Sequence, residues 1–349
     1  MFVRWDNLKV EEEEARTLPG YREPATVRTF DAPEALDTRL YEVRAKSALN
    51  KVPDASRMPF RWTINPYRGC HHGCKFCFAR PTHVYLDFNA DRDFDKEIVV
   101  KVNVPEVARA ELMRPSWKRE HVALGTNTDP YQWVEGRYKL MPGIWEAMRD
   151  SGTPSSVLTK SPLLLRDLAL MKEVHEAAGF AANLSIPTLD ERAWRASEPH
   201  TPHPRKRIEA VAELNRAGIP TGVLIAPLMP GINDSPKQVE EILELCGEAG
   251  AVNIGGIPLH LRGEVRDIFF EWLRSYRPDL IPRYEQLYAR GAYVSKEERE
   301  RIQALLRRRP GRRSMPALRG TSTEENTGHD PITMPAPRPP REPAQTKLF

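Results

Sequence analysis

The sequence has no apolar run approaching the roughly 20 residues that a membrane-spanning helix needs, so no span is expected. Met1 to Val10 lacks a basic stretch followed by an apolar one. No signal peptide is read, and a cytoplasmic location is expected. Cysteine is scarce, with four in 349 residues. That is too few for a disulfide framework, and in a reducing compartment metal binding is the ordinary use of clustered thiols. Charge of one sign is also modest. A formal net charge of +4 does not by itself argue for a nucleic-acid binder. The acidic run Glu11 to Glu14 and the basic cluster Arg307, Arg308, Arg309, Arg312 and Arg313 read as solvated faces or tails. Attraction of the arginines to a polyanion is the alternative.

The hydrophobic content of 40% is enough for a core. Residues 1–50 are polar and weakly periodic and read as a lead-in, and residues 51–300 as the core domain. Residues 301–349 read as a basic, Pro-rich, disordered tail, since Pro335-Ala-Pro-Arg-Pro-Pro-Arg-Glu-Pro343 cannot bury enough apolar surface to offset its ordering. Strands are predicted at Phe60–Asn65, His121–Gly125, Ser156–Thr159, Ala181–Ile186, Thr221–Ala226 and Ala251–Ile257. Helices are predicted at Pro105–Met113, Ile144–Asp150, Leu163–Ala178, Pro204–Ala217, Pro236–Ala249 and Val265–Tyr276. Pro105, Pro204 and Pro236 suit first turns, and glycines follow several helix ends. The phrase helix, Ala-Gly, strand recurs at Ala178-Gly179, Ala217-Gly218 and Ala249-Gly250. This regularity predicts an α/β fold of successive βα units with parallel strands, a partial (β/α)6 TIM-type barrel. Ligands of such folds lie at the C-terminal strand ends.

The most informative segment is Cys70-His-His-Gly-Cys74-Lys-Phe-Cys77, a CxxxCxxC spacing. Thiolates this close serve one metal centre. Three of them suit a cubane iron–sulfur cluster that normally takes four, which leaves one iron without a protein ligand. Gly69 and Gly73 permit close wrapping of the backbone, and Arg68 and Lys75 favour ionised thiols. The rival is zinc in a Cys3His site with His71 or His72 as fourth ligand, although structural zinc sites usually draw on two separated pairs. Cys246, in Ile242-Leu-Glu-Leu-Cys246, reads as a buried helix residue.

With Phe76 before its last cysteine, the loop resembles the signature of the radical S-adenosylmethionine (SAM) superfamily. The longer string Asn65-Pro-Tyr-Arg-Gly-Cys-His-His-Gly-Cys-Lys-Phe-Cys-Phe-Ala-Arg80 is similar to the branch related to spore photoproduct lyase. So are Thr128-Asp-Pro-Tyr-Gln132, Ser185-Ile-Pro-Thr-Leu-Asp190, Glu198-Pro-His-Thr-Pro202 and Ala226-Pro-Leu-Met-Pro-Gly-Ile-Asn-Asp234. The resemblance implies the partial barrel of the radical SAM core and an enzyme with two cofactors, a 4Fe-4S cluster and SAM. Cys70, Cys74 and Cys77 would hold the cluster, and its open iron would chelate SAM. One electron would then split SAM into methionine and a 5′-deoxyadenosyl radical that abstracts hydrogen from substrate. An external donor such as flavodoxin or ferredoxin would supply the electron. The substrate is left open, with nucleic acid one candidate; a monomer is expected.

By matching position, Phe76 would approach the adenine. Thr126 and Asp129 would accept from the SAM amino group, which donates hydrogen bonds. Ser185 would reach the ribose or carboxylate, followed by Glu198, and Arg205 would grip the methionyl carboxylate. Ile225, Ala226, Pro227 and Met229 would wall the adenine or simply pack, Asn233 and Asp234 would shape a turn and cap the next helix, and His260 is a candidate to face substrate. The chain departs from the photoproduct lyase in lacking a further cysteine as hydrogen donor, which argues against thymine-dimer repair and leaves Tyr131, Tyr138 or Tyr293. A reading of another class is a non-catalytic, metal-containing nucleic-acid-binding protein that uses the arginine-rich end electrostatically.

Overall fold

The computed structural model describes residues 10–30, 37–53, 56 and 58–307. In chain order the strands before the first helix are β1 (Val10–Arg16), β2 (Ala25–Phe30), β3 (Arg39–Val43), β4 (Leu49–Lys51), β5 (Trp62–Ile64), β6 (Tyr67–Arg68) and β7 (Glu97–Lys101). There follow α1 (Val104–Leu112), β8 (Val122–Leu124), α2 (Glu135–Tyr138), α3 (Leu140–Ser151), β9 (Ser155–Thr159), α4 (Leu168–Ala178) and β10 (Phe180–Ser185). The chain continues through α5 (Glu191–Ser197), α6 (Pro204–Arg216), β11 (Thr221–Leu228), α7 (Pro236–Glu248) and β12 (Ile254–Pro258). It ends in α8 (Val265–Tyr276), α9 (Ile281–Leu287) and α10 (Lys296–Arg307).

Two sheets result. The larger has the order β12-β11-β10-β9-β8-β5-β4. Its neighbours from β5 to β12 all pair in parallel, and β4 is an antiparallel edge. Among the described residues β5 and β12 do not pair, so the six parallel strands form an open partial barrel, as the repeated Ala-Gly phrase predicts. Gly125 links β8 to the site at φ +86°, and a Cβ there would lie 1.9 Å from the Leu158 carbonyl oxygen, so no other residue fits.

Alternation along the strands separates the two faces. Ile64, Leu124, Val157, Leu184, Val223 and Ile254 pack under the helices with Trp145, Val174, Leu214 and Ile242. The opposite positions line the concave side. Ala123, Ser156 and Ala181 are in register, as are Leu158, Asn183 and Gly222, and Ser185, Leu224 and Gly255. Apart from Leu158 and Leu224 these residues are small or polar. They leave room in an interior that a closed eight-stranded barrel fills with Val, Ile and Leu.

Three expectations need revision. The 1–50 segment is not a bare lead-in. β1, β2 and β3 form a second sheet with β7 and β6, in the order β1-β2-β3-β7-β6. β3 joins β7 in parallel, Arg39 opposite Glu97, and β7 joins β6 next to the cysteine loop. Residues 301–307 are not tail but the end of α10, where Ile302 and Leu305 are buried. α10 covers β12, and Leu306 lies where a Cβ on Gly256 would fall. It is the outer helix of the sixth strand, the place expected for Val265–Tyr276. That helix, α8, instead packs with α9 against Phe76, Met229, Leu259 and Leu261 at the mouth. The disorder expected for residues 308–349 lies outside the described residues.

Candidate active site

The cysteine loop leaves β6 and ends in a 3₁₀ turn, Arg80–Leu86, above the C-terminal strand ends. Its backbone is held by donors from several elements. The Gly69 carbonyl accepts from Thr128 Oγ1 (2.6 Å) and Gln132 Nε2 (3.3 Å), and Gln132 Oε1 accepts from His71 N (2.8 Å). Arg80 is fully buried and donates from Nε to the Cys74 carbonyl (3.0 Å) and from Nη2 to the Gly73 carbonyl (2.9 Å). Lys75 N donates to the Ser197 carbonyl (3.0 Å), and Cys70 N to the Phe94 carbonyl (3.0 Å). Gly73 sits at φ +62°, and a Cβ there would come within 3.2 Å of Asp95 and His200. The loop thus wraps tightly, with these backbone groups paired.

Cys70 and Cys74 are buried and Cys77 is half-buried. Burial pushes all three thiols up, Cys70 and Cys74 most strongly, so their thiolates need a cation beside them. This donor set fits a multinuclear cluster better than one ion. Among the described residues no three His, Cys, Asp or Glu side chains converge as ligands of a single metal. A cubane asks less, because each thiolate binds a different iron. His72 Nδ1 pairs with Asp129 Oδ2 (3.3 Å), and burial lowers its pKa to about 4, leaving a neutral imidazole. The His71 ring lies between Trp133 and His200 (centroids 5.2 and 5.0 Å).

Beside the loop lies a charged knot. Lys160 follows β9 and points to the concave side. Its Nζ donates to Ser185 Oγ (2.7 Å), pairs with Glu198 Oε1 (2.6 Å) and stands 5.6 Å from the centroid of the Phe76 ring. Arg207, fully buried on α6, binds Glu198 Oε2 (3.1 Å), the Ser185 carbonyl (2.9 Å), Thr201 Oγ1 (2.6 Å) and the Pro202 carbonyl (3.0 Å). Burial alone would push the Glu198 carboxyl up. Arg207 and Lys160 more than offset this and hold it below its usual range. The knot fixes Lys160 over the Phe76 ring, a cation–π geometry.

A model of the radical SAM superfamily matches residues 64–254. The chain belongs to this superfamily. An uncharacterized protein of Mycobacterium tuberculosis is 47% identical over 285 residues, covering 82% of this chain and 84% of that one. A Pseudomonas phage M6 protein described as a radical SAM Nalpha-GlyT isomerase is 29% identical over 187 residues, 52% of this chain and 36% of that one. Among solved structures, a spore photoproduct lyase mutant with bound AdoMet and dinucleoside spore photoproduct superimposes with a TM-score of 0.57. It is 16% identical, with 84% of each chain covered, and so shares the fold. As a radical SAM protein the chain is an enzyme of a family that uses a 4Fe-4S cluster and SAM.

Set against what radical SAM chemistry needs, the expected residues divide. Phe76, Ser185 and Glu198 come together around Lys160. Thr126 lies at the mouth after β8, and its hydroxyl donates to Asn65 Oδ1 (3.3 Å) with its lone pairs still available. Asp129 is committed elsewhere. Its carboxylate accepts from Tyr131 N (2.9 Å), Thr159 Oγ1 (2.6 Å) and Lys160 N (2.7 Å) besides His72, so it braces the loop rather than offering a free acceptor. Arg205 is not in the site. It lies on the outer side of α6, is 54% exposed at its side chain and pairs with Glu241 (2.9 Å). Ile225 packs under the helices and Met229 against α8. Asn233 shapes its turn, accepting from Met229 N (2.6 Å), and the cap of α7 is Ser235 rather than Asn233 or Asp234. Tyr131 and Tyr138 are tied to Asp167 (3.0 Å) and Glu42 (2.8 Å), away from the mouth. Lys160 and Arg207 escaped the sequence reading, and Arg80 and Gln132 entered it only as the ends of motifs, with no role of their own.

Proposed function

We propose that this chain cleaves SAM reductively and turns the resulting radical on a nucleobase-bearing substrate. Cys70, Cys74 and Cys77 are assigned as cluster ligands. The chemistry supplied by a bound cluster with SAM is one-electron scission of a C–S bond, giving methionine and a 5′-deoxyadenosyl radical that takes hydrogen from a substrate. The protein's own residues do the rest. Lys160 offers an ammonium to the methionyl carboxylate in place of the expected Arg205, while Glu198 and Arg207 hold its chain in place. Phe76 presents a face to the adenine, and the hydroxyls of Ser185 and Thr126 serve the polar edges of the cofactor. The small residues of the concave face leave space for both molecules, and α8 with α9 covers one side of the mouth and limits water. An external one-electron donor of the flavodoxin or ferredoxin kind, a cytoplasmic setting and a monomeric state complete the reading. No helix among the described residues is long and apolar enough to cross a membrane.

The observation that carries this reading is the convergence of a buried three-cysteine loop with Lys160, Ser185 and Phe76 at the C-terminal ends of a parallel sheet. The nucleobase rests on the fold relative whose structure holds a dinucleoside spore photoproduct. The test is anaerobic reconstitution with iron and sulfide, reduction, and chromatography of the products of SAM. The expected result is 5′-deoxyadenosine and methionine in equal amounts. Stoichiometric zinc, or no cleavage, would overturn the proposal.

The Lys160 assignment has its own consequence. Lys160→Met is expected to weaken SAM binding about 10- to 100-fold, the worth of a hydrogen bond to a charged group. Arg207 still pairs Glu198, so the fold persists. Equilibrium dialysis with labelled SAM on the reconstituted variant checks this, and unchanged affinity would remove Lys160 from the site.

A further inference from the structure

Phe78 follows the last cysteine of the loop and is 56% exposed, unlike the buried Phe76 two residues before it. A lone exposed apolar residue is ordinary, but Phe78 is joined to further rings at the mouth. Its ring meets that of His260, just past β12 (centroids 6.1 Å, planes 37° apart). His260 in turn stacks on Tyr293 (5.8 Å, 25°), and a β-bridge between these two residues fixes their backbones. Leu261 N donates to the Ala292 carbonyl (2.8 Å), and the buried Tyr288 hydroxyl donates to the Leu259 carbonyl (2.7 Å), so the platform has a rigid base. The three rings therefore span the gap between the loop after the first parallel strand and the end of the last, where the barrel is open. On the concave side of β12 the apolar Ile257 is also exposed.

We infer that Phe78, His260 and Tyr293 form a stacking platform for a base of single-stranded nucleic acid, placing it beside the cysteine loop. This inference rests on the proposed function and names the residues that would receive its substrate. Three features select a base on a strand over another apolar group. The rings form a row of flat faces, which suits stacking rather than an aliphatic pocket. Burial, reinforced by the Arg262 charge, pushes the His260 pKa down and keeps the imidazole neutral. The same Arg262, close enough to act on that imidazole, puts positive charge beside an aromatic face, the pairing that lets a protein take a base and its phosphate together.

The experiment uses the full chain and two fluorescein-labelled single-stranded DNA decamers, one of mixed sequence and one with abasic sites throughout, read by fluorescence anisotropy at fixed salt. The wild type is expected to bind the mixed decamer at least fivefold more tightly than the abasic one. Phe78→Ala is expected to weaken binding of the mixed decamer about 5- to 100-fold, the scale of one lost base–aromatic stack, and to leave the abasic decamer unaffected. Phe78→Trp should restore binding. Met113→Ala, at an exposed apolar residue after α1, should change nothing. Equal binding of both decamers by the wild type, no binding of either, or an unchanged affinity in Phe78→Ala would overturn the inference. Anisotropy needs no cluster turnover, so failure here is separable from failure of SAM cleavage, which is measured without oligonucleotide.

Discussion

Cys74→Ala should yield protein with no 5′-deoxyadenosine production above background after the same reconstitution, and Cys70→Ala and Cys77→Ala should match it. A three-thiolate set has no spare member, since each thiolate would hold a different iron. Cys246→Ala is the contrasting variant. That thiol is buried in the outer layer on α7, with burial pushing it up to about 12, and its loss should leave iron content and cleavage unchanged. Stripping the reconstituted wild type with a chelator under reducing conditions should reproduce the Cys74→Ala phenotype, and reloading should reverse it. Iron and sulfide assays beside product chromatography decide the matter. Full cleavage by any of the three loop variants would remove that cysteine from the cluster.

The parallel sheet was legible because its signals are local. The strands β9 to β12 are short apolar runs such as Thr221–Leu228, each preceded by a glycine at the end of the helix before it (Gly152, Gly179, Gly218 and Gly250). The second sheet was hidden for the opposite reason. β3 finds its partner β7 more than 50 residues later, a pairing that no window along the chain can register. The strand Glu97–Lys101 also carries no turn signal strong enough to set it apart from the loop before it. α10 was obscured by composition. Its arginines and glutamates read as a solvated segment, whereas Ile302, Leu305 and Leu306 recur at helical spacing and seat it on β12.

In the site, the three cysteines announce themselves by spacing. Lys160 does not, because a lone lysine after a strand has the look of any surface residue until the sheet turns it inward. The strand-end rule gave a usable pointer: Thr159 closes β9, so Lys160 stands at the end where ligands bind. The Asp129 assignment failed on a different count. The resemblance supplies a position for an acceptor, but only the folded chain shows four donors already there. Arg205 failed by register, since it and Arg207 lie two apart on a helix and so face different ways.

That difference of two residues has a measurable size. Arg207→Met is expected to destabilise the chain by about 3–5 kcal/mol, because it strands Glu198, which is fully buried, with Lys160 as its remaining cationic partner. It also removes the donors that hold the carbonyls of Ser185 and Pro202, so the end of β10 loses its tie to α6. Arg207→Lys should recover little, since one ammonium cannot reach four acceptors that a planar guanidinium spans. Arg205→Met should cost about 0–1 kcal/mol, as its ion pair with Glu241 is in water on both sides. Urea unfolding of the three variants and the wild type under one anaerobic condition separates these outcomes. A comparable loss from Arg205→Met would mean that the face of α6 turned towards Ser185 has been assigned wrongly, and with it the support of Lys160.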